Sequence, residues 1–178
     1  MMHAIKTVSG RDFVFAQPEM HDYLLSDIAH GLSHLCRFNG HTRVFYSVAQ
    51  HSVLVAEQLP KEHRLAGLLH DASEAYLGDV TTPLKLLMPG YREVEDRTMR
   101  AIFSCYGLPY PMPDCVKAAD LVMLVTEKRD LVNDQSPWDC EKHAAPLPQK
   151  IVPMTSAQAA AAFKAAYHKY AALQVGPR

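Results

Sequence analysis

The chain has 178 residues, 48% hydrophobic and 21% charged, and its 18 Lys and Arg stand against 19 Asp and Glu for a formal net charge of −1. A chain of this length is expected to form one domain that needs neither metal nor disulfide merely to hold a core, and its composition excludes a disordered polymer. The charge balance removes the electrostatic basis for a dedicated nucleic-acid or membrane-surface binder.

Residues 3–16 alternate around Ser9-Gly10, with Ile5 and Val8 before the turn and Phe13 and Phe15 after it, which predicts a short β-hairpin. From Asp22 onward the apolar spacing is helical. Leu25, Ile28, Leu32 and Leu35 form one stripe that stops at Asn39-Gly40. Val44, Val48, His51 and Val55 form the next, ending at Leu59-Pro60. Pro60 is expected to open a third helix that turns Leu65, Leu68, Leu69 and Ala72 inward and ends near Gly78. Thr81-Thr82-Pro83 reads as a hydroxyl cap with proline in the first turn, opening a short helix closed at Pro89-Gly90. Tyr91, Val94, Thr98, Ile102 and Cys105 predict another helix, stopped by Gly107 and the prolines at 109, 111 and 113. Asp114 starts a long helix through Val132. Residues 133–154, with four prolines, read as an extended loop, and Thr155 or Ser156 caps an Ala-rich helix ending near Leu173. That last helix is suited to close packing on another, in the same chain or in a second subunit. No repeat and no linker is visible, so the expectation is a single all-α domain over 1–178 with an N-terminal hairpin, its core about 22–132, followed by a loop and helix over 133–178.

Cys36, Cys105, Cys115 and Cys140 are far apart and form no C-x-x-C pair, as expected for free thiols in a reducing compartment. The start, MMHAIKTVSGRDF, has no apolar stretch of the signal-peptide kind. The longest uncharged apolar-leaning run, Val44 to Ala56, falls short of the roughly 18 residues a membrane span needs. A cytoplasmic protein without membrane contact is expected.

Ten histidines give the chain ample metal-binding and near-neutral titratable capacity. The segment Leu68-Leu69-His70-Asp71-Ala72-Ser73-Glu74-Ala75-Tyr76-Leu77-Gly78-Asp79 gathers an imidazole and three carboxylates. His70 and Glu74 share a helical face at i and i+4. Polar groups among Leu68, Leu69 and Ala72 need partners, and a divalent cation satisfies an imidazole and a carboxylate together. His51 lies on an apolar stripe, and Asp120 stands among Ala119, Leu121 and Met123 where an aliphatic side chain would be expected. Two imidazoles and two carboxylates suit one Mn, Fe, Co, Ni or Zn ion better than calcium. His30 and His34 have the spacing of a helical metal pair but lack an H-E-x-x-H motif, and read as pocket or surface residues. His41 is expected in a loop near Arg37, at the mouth of the site.

The set His51…His70-Asp71…Asp120 resembles the H…HD…D signature of the HD-domain phosphohydrolases. The run HDASEAYLGDVTTPLK is similar to the active-site helix of bacterial 5′-deoxynucleotidases and of small, prophage-type dNTP triphosphohydrolases. The likeness spans residues 25–130. It implies an HD-domain helical core with His51, His70, Asp71 and Asp120 as metal ligands. It implies that Glu74 orients the attacking water, that Asp79 is a second catalytic carboxylate able to protonate the leaving oxygen, and that Arg37 contacts phosphate. Phe38 matches an aromatic beside the substrate, and Lys85 and Lys117 match further phosphate contacts. The spacer between His51 and His70 is shorter than in the deoxynucleotidases, which bears on the pocket wall it builds. The expected activity is metal-dependent hydrolysis of nucleoside 5′-phosphates, foremost dNMP to deoxynucleoside and phosphate. A dNTP triphosphohydrolase using the same site is the alternative. A non-catalytic nucleotide-binding module would not need Glu74 and Asp79, and the extra histidines of cyclic-dinucleotide phosphodiesterases are absent. The resemblance also implies a homo-oligomer.

Overall fold

The computed structural model describes residues 4–174; the first residue of the predicted hairpin, His3, lies outside them. Strands β1 (Ala4–Lys6) and β2 (Asp12–Val14) pair antiparallel with Ile5 opposite Phe13. Gly10 supplies the left-handed φ of +83° that closes the turn. Phe13 is fully buried, its ring centroid 4.5 Å from that of Tyr76, so a two-stranded ribbon too small to be stable alone is held by the helical core. Buried Asp27 adds a polar tie, accepting hydrogen bonds from the Ser9 N–H at 3.2 Å and the Ser9 hydroxyl at 2.7 Å.

The rest is helical among the described residues: α1 (Leu25–His34), α2 (Val48–Glu57), α3 (Arg64–Leu68), α4 (Glu74–Leu77), α5 (Thr82–Lys85), α6 (Tyr91–Cys105), α7 (Asp114–Leu131) and α8 (Ser156–Gln174). The all-α expectation with a small N-terminal hairpin is met. Ile28, Leu32, Leu68, Leu69, Ile102, Phe103, Met123 and Phe163 form the core of fully buried side chains. Helix α8 lies across α1, α2 and α3 through Ala159, Phe163, Ala166 and Tyr170, so its small residues serve packing within the chain. None of the described helices is long and apolar enough to cross a membrane.

Several predicted boundaries are corrected. Helix α1 ends at His34, not at Asn39-Gly40: the chain leaves extended, Cys36 bridges Ser47, and Arg37–Gly40 forms a tight turn. Helix α2 begins at Val48 because the Ser47 hydroxyl caps it, accepting from the Gln50 N–H; Val44 stands exposed outside the helix. Helix α5 starts where predicted, yet the Thr81 hydroxyl makes no capping bond and the helix ends at Lys85.

The largest departure concerns the predicted helix from Pro60 to Gly78, which is interrupted at residues 69–73. Through the gap and into α4 the backbone bonds shorten to the i→i−3 kind: Ala72 to Leu69, Glu74 to Asp71 and Tyr76 to Ser73. The His70 imidazole supplies a local cause. Its Nδ1–H donates to the Gly67 carbonyl at 2.8 Å, occupying the acceptor that the Asp71 N–H would use in a continuous helix. His70 and Asp71 therefore sit on a tightened turn, with Glu74 opening the next short helix.

Candidate metal centre

Three parts of the fold converge here. His51 enters from the middle of α2 and is fully buried. Its Nδ1 lies 2.6 Å from Glu127 Oε1, and an ionised carboxylate only accepts, so Nδ1 carries a proton and Nε2 is the atom turned to the convergence point. His70 reaches the same arrangement through the Gly67 carbonyl. The two Nε2 atoms face each other at 3.3 Å. Asp120 Oδ1, from α7, is 3.1 Å from His51 Nε2 and 3.9 Å from His70 Nε2. Asp71 Oδ2 is 3.1 Å from His70 Nε2 and 3.5 Å from His51 Nε2.

Two Nε2 atoms and two carboxylate oxygens converging on one region need positive charge among them, as shared protons or as a cation. Neighbouring ligands on an octahedral ion, each about 2.1 Å from it, lie about 3 Å apart. Four of the five separations, 3.1–3.5 Å, lie near that edge, and the fifth, His70 to Asp120, is longer at 3.9 Å. His51, His70 and Asp120 thus form a group that could hold a metal ion, and Asp71 borders it. The charge state points the same way. Burial disfavours a charged His70, yet Asp71 and Asp120 outweigh it and lift its pKa well above the ordinary histidine range. Burial opposes ionisation of Asp71, but the His70 charge and hydrogen bond hold its pKa at about 2. The pocket attracts positive charge even as a proton.

Arg37 is positioned by main-chain bonds: its N–H donates to the Tyr46 carbonyl at 3.0 Å beside the Cys36–Ser47 bridge. Its guanidinium donates to Glu127 Oε2 at 3.0 Å and stands 3.7 Å from Asp71 Oδ2. Burial works against the charge, but Glu127 and Asp71 raise the pKa, so Arg37 stays cationic. The next residue, Phe38, has φ +54°, and Asn39 has φ +52°. A phenylalanine in the left-handed region costs on the order of 1 kcal/mol, and such strain tends to collect at binding sites.

Glu74 is buried and its Oε2 has no hydrogen-bond partner. Burial, then the negative Asp71 and Asp79, raise its pKa well above the usual carboxyl value. Asp79 follows Gly78, whose φ of +83° turns the chain out of α4, and burial lifts its pKa as well. Both carboxyls line a cavity of about 710 Å³ together with Arg37, Phe38, Lys85 and Trp138, and with Asp71 and Asp120 at its edge. That volume falls within the range of small-molecule clefts, about 300–1,000 Å³.

A second cavity of about 560 Å³ meets the first at Asp71, Lys85 and Asp120. Lys117 lines this second cavity alongside Arg92, and so stands apart from Arg37; Lys85 borders both and pairs with Glu95 at 2.5 Å. His30 and His34 stack on the surface with ring centroids 4.1 Å apart. His41 is exposed and lines neither cavity.

Two neighbours of the site were missed in the sequence. Glu127 follows Asp120 by seven residues on α7, two turns along the same face, a spacing that could have been read. Trp138 comes from the Pro-rich loop, its centroid 6.3 Å from that of Phe38, and only the loop's path brings it there. Its indole N–H donates to Asp134 at 2.6 Å, and Lys128 lies 5.3 Å from the ring centroid.

No protein-family model matches the chain. An uncharacterized protein of Rhodobacter capsulatus is 41% identical over 131 residues, 66% of this chain and 67% of that protein. The uncharacterized protein YfdR of Escherichia coli is 47% identical over 138 residues, 77% of this chain and 78% of that protein. At that identity and coverage, the chain belongs to the YfdR family.

Proposed function

We propose that the chain is an HD-domain phosphohydrolase holding a divalent transition metal at His51, His70, Asp71 and Asp120, with nucleoside 5′-monophosphates, above all dNMPs, as substrates. The observation that carries this reading is the pair of Nε2 atoms 3.3 Å apart between two carboxylates, beside a cavity lined by Glu74, whose Oε2 is unpartnered, and by the buried Arg37. Such an ion, when bound, supplies Lewis acidity and positive charge at the phosphate. Arg37 neutralises phosphate oxygens, and its planar donors suit a two-oxygen contact. Glu74 holds and deprotonates the attacking water; its pKa, raised by burial and then by Asp71 and Asp79, would fall with a cation bound at the neighbouring ligands. Asp79, whose pKa burial raises, donates a proton to the leaving 5′-oxygen as the P–O bond breaks. Phe38 and Trp138 offer aromatic faces to the base.

The adjoining cavity, with Lys117 and Arg92, favours a second reading: cleavage of dNTP at the α-phosphate with release of triphosphate, the polyphosphate lying there. One experiment tests both. Protein stripped with chelator and reloaded with Mn²⁺ or Co²⁺ is offered dNMPs, dNTPs and NMPs, and the products are separated. Release of orthophosphate from dNMPs is expected. Release of triphosphate from dNTPs alone supports the second reading, and no turnover with any metal and substrate overturns both.

A further inference from the structure

We propose that Glu127 is a positioning residue that orients the metal ligand His51 and the guanidinium of Arg37 at once, coupling the metal subsite to the anion subsite through one buried carboxylate. The anion arm rests on the reading of Arg37 as a phosphate contact; the metal arm rests only on the convergence of His51, His70 and Asp120. Glu127 is fully buried, where a lone charge would be prohibitive. Its two oxygens are divided between two functions. Oε1 accepts from His51 Nδ1 at 2.6 Å, and Oε2 accepts from Arg37 at 3.0 Å.

The first contact sets the tautomer. In the neutral ring, with Nδ1–H committed to a carboxylate, the His51 lone pair is confined to Nε2, which faces His70 and Asp120; a carboxylate behind a ligand imidazole also raises its basicity. The second contact fixes where Arg37 presents its remaining donors. Both partners are otherwise rigid: His51 is mid-helix in α2, and Arg37 is pinned by the Cys36–Ser47 bridge. Glu127 itself is on α7, the helix that carries Asp120, so a single helix sets a ligand and the brace behind another ligand. A buried ion pair serving stability alone would not need its second oxygen on a metal-competent histidine.

The geometry makes the isosteric variant informative. In Glu127→Gln the carboxamide oxygen can accept from His51 Nδ1–H, but the amide NH₂ then meets the guanidinium donor to donor. Co²⁺ is titrated into chelator-stripped full-length protein, followed by visible absorption and calorimetry. Orthophosphate is then titrated into the Co²⁺-loaded protein. Glu127→Leu is expected to weaken Co²⁺ binding by about 10–100-fold. Glu127→Gln is expected to keep Co²⁺ affinity within a few-fold and to weaken orthophosphate by about tenfold or more. Arg37→Met, which spares the Glu127–His51 bond, should reproduce the orthophosphate loss.

Co²⁺ binding by the Leu variant at the wild-type level overturns the proposal, as does wild-type orthophosphate binding by the Gln variant. The melting temperature of the chelated protein separates position from structure. If the Leu variant does not fold, the Gln variant decides. A parallel fall of both its affinities with the melting temperature marks a purely structural role and overturns the proposal. No arm reads turnover, so a protein that binds Co²⁺ yet hydrolyses nothing removes the phosphohydrolase reading and leaves this one standing.

Discussion

Asp120 and Glu74 carry opposite burdens in the same pocket. Burial opposes a charge on Asp120, but hydrogen bonds from His51 and His70 hold its pKa well below the ordinary value, as suits a group that grips a cation. Glu74 is left without a partner and its pKa is pushed up. Asp120→Ala should therefore abolish Co²⁺ binding, measured by titration, while Glu74→Ala should retain Co²⁺ and lose turnover by about 10²–10⁴-fold. Full activity in Glu74→Ala would remove its assignment to the attacking water. The metal-competent residues were legible in the sequence because His51, His70 and Asp120 are polar groups on apolar stripes, an arrangement that demands a partner. Glu127 was overlooked although its seven-residue offset from Asp120 places it on the same face, because the adjacent Lys128 and Arg129 resemble a solvated charge cluster at a helix end. Only the packing of α2 on α7 encloses it.

At the level of elements, the tightened turn at residues 69–73 was invisible to periodicity. Leu65, Leu68, Leu69 and Ala72 keep helical spacing across it, and the cause is a side-chain bond from His70 to a carbonyl. The short α4 that follows is braced by α1 at a glycine. A Cβ built on Gly31 would lie 3.0 Å from both the Cβ and the carbonyl oxygen of Ala75. Alanine gains up to about 1 kcal/mol over glycine in a helix, whereas overpacking against a backbone that no rotamer can relieve costs about 1–3 kcal/mol. The clash should prevail, and Gly31→Ala should lower the melting temperature by a few degrees; a rise would show that α4 can shift away. The loop after α7 is latched by Asp134, whose pKa is held at about 2 by hydrogen bonds from the Ser136 hydroxyl and N–H and the Trp138 indole. Because the folded value lies below the ordinary one, the latch holds above the usual carboxylate range and is lost as pH falls toward 2. Trp138 is the single tryptophan of the chain, so its emission reports the latch. Emission should be steady from neutral pH to the usual carboxylate range and change below it, and Asp134→Ala should show the changed spectrum already at neutral pH.

For the molecule as a whole, sequence patterning was sufficient for class and for much of the core, the helices packing around Ile28, Leu32, Leu68, Leu69 and Ile102, although one of the seven predicted helices is split into α3 and α4 among the described residues. The path of residues 132–155 was not legible, since that loop is tied by long-range bonds such as Gln50 to the Val152 carbonyl and the Met154 N–H. A cation gripped only by the folded state should raise stability by about 2.7 kcal/mol at one hundred times its dissociation constant. For a chain of this size that is a rise of roughly 5–11 °C in melting temperature on adding Co²⁺ to stripped protein. No shift in the wild type, together with no shift in Asp120→Ala, would argue against a metal centre.

The three segments proposed to hold the ion, α2, the turn before α4, and α7, come together only when the helices dock; between positions 51 and 120 the chain must first close a long loop. A cross-link that depends on prior docking has little to grip in the folding transition state. The ion should therefore leave the refolding rate nearly unchanged and slow unfolding, so that its benefit to the cell is persistence of the folded chain rather than speed of acquiring it.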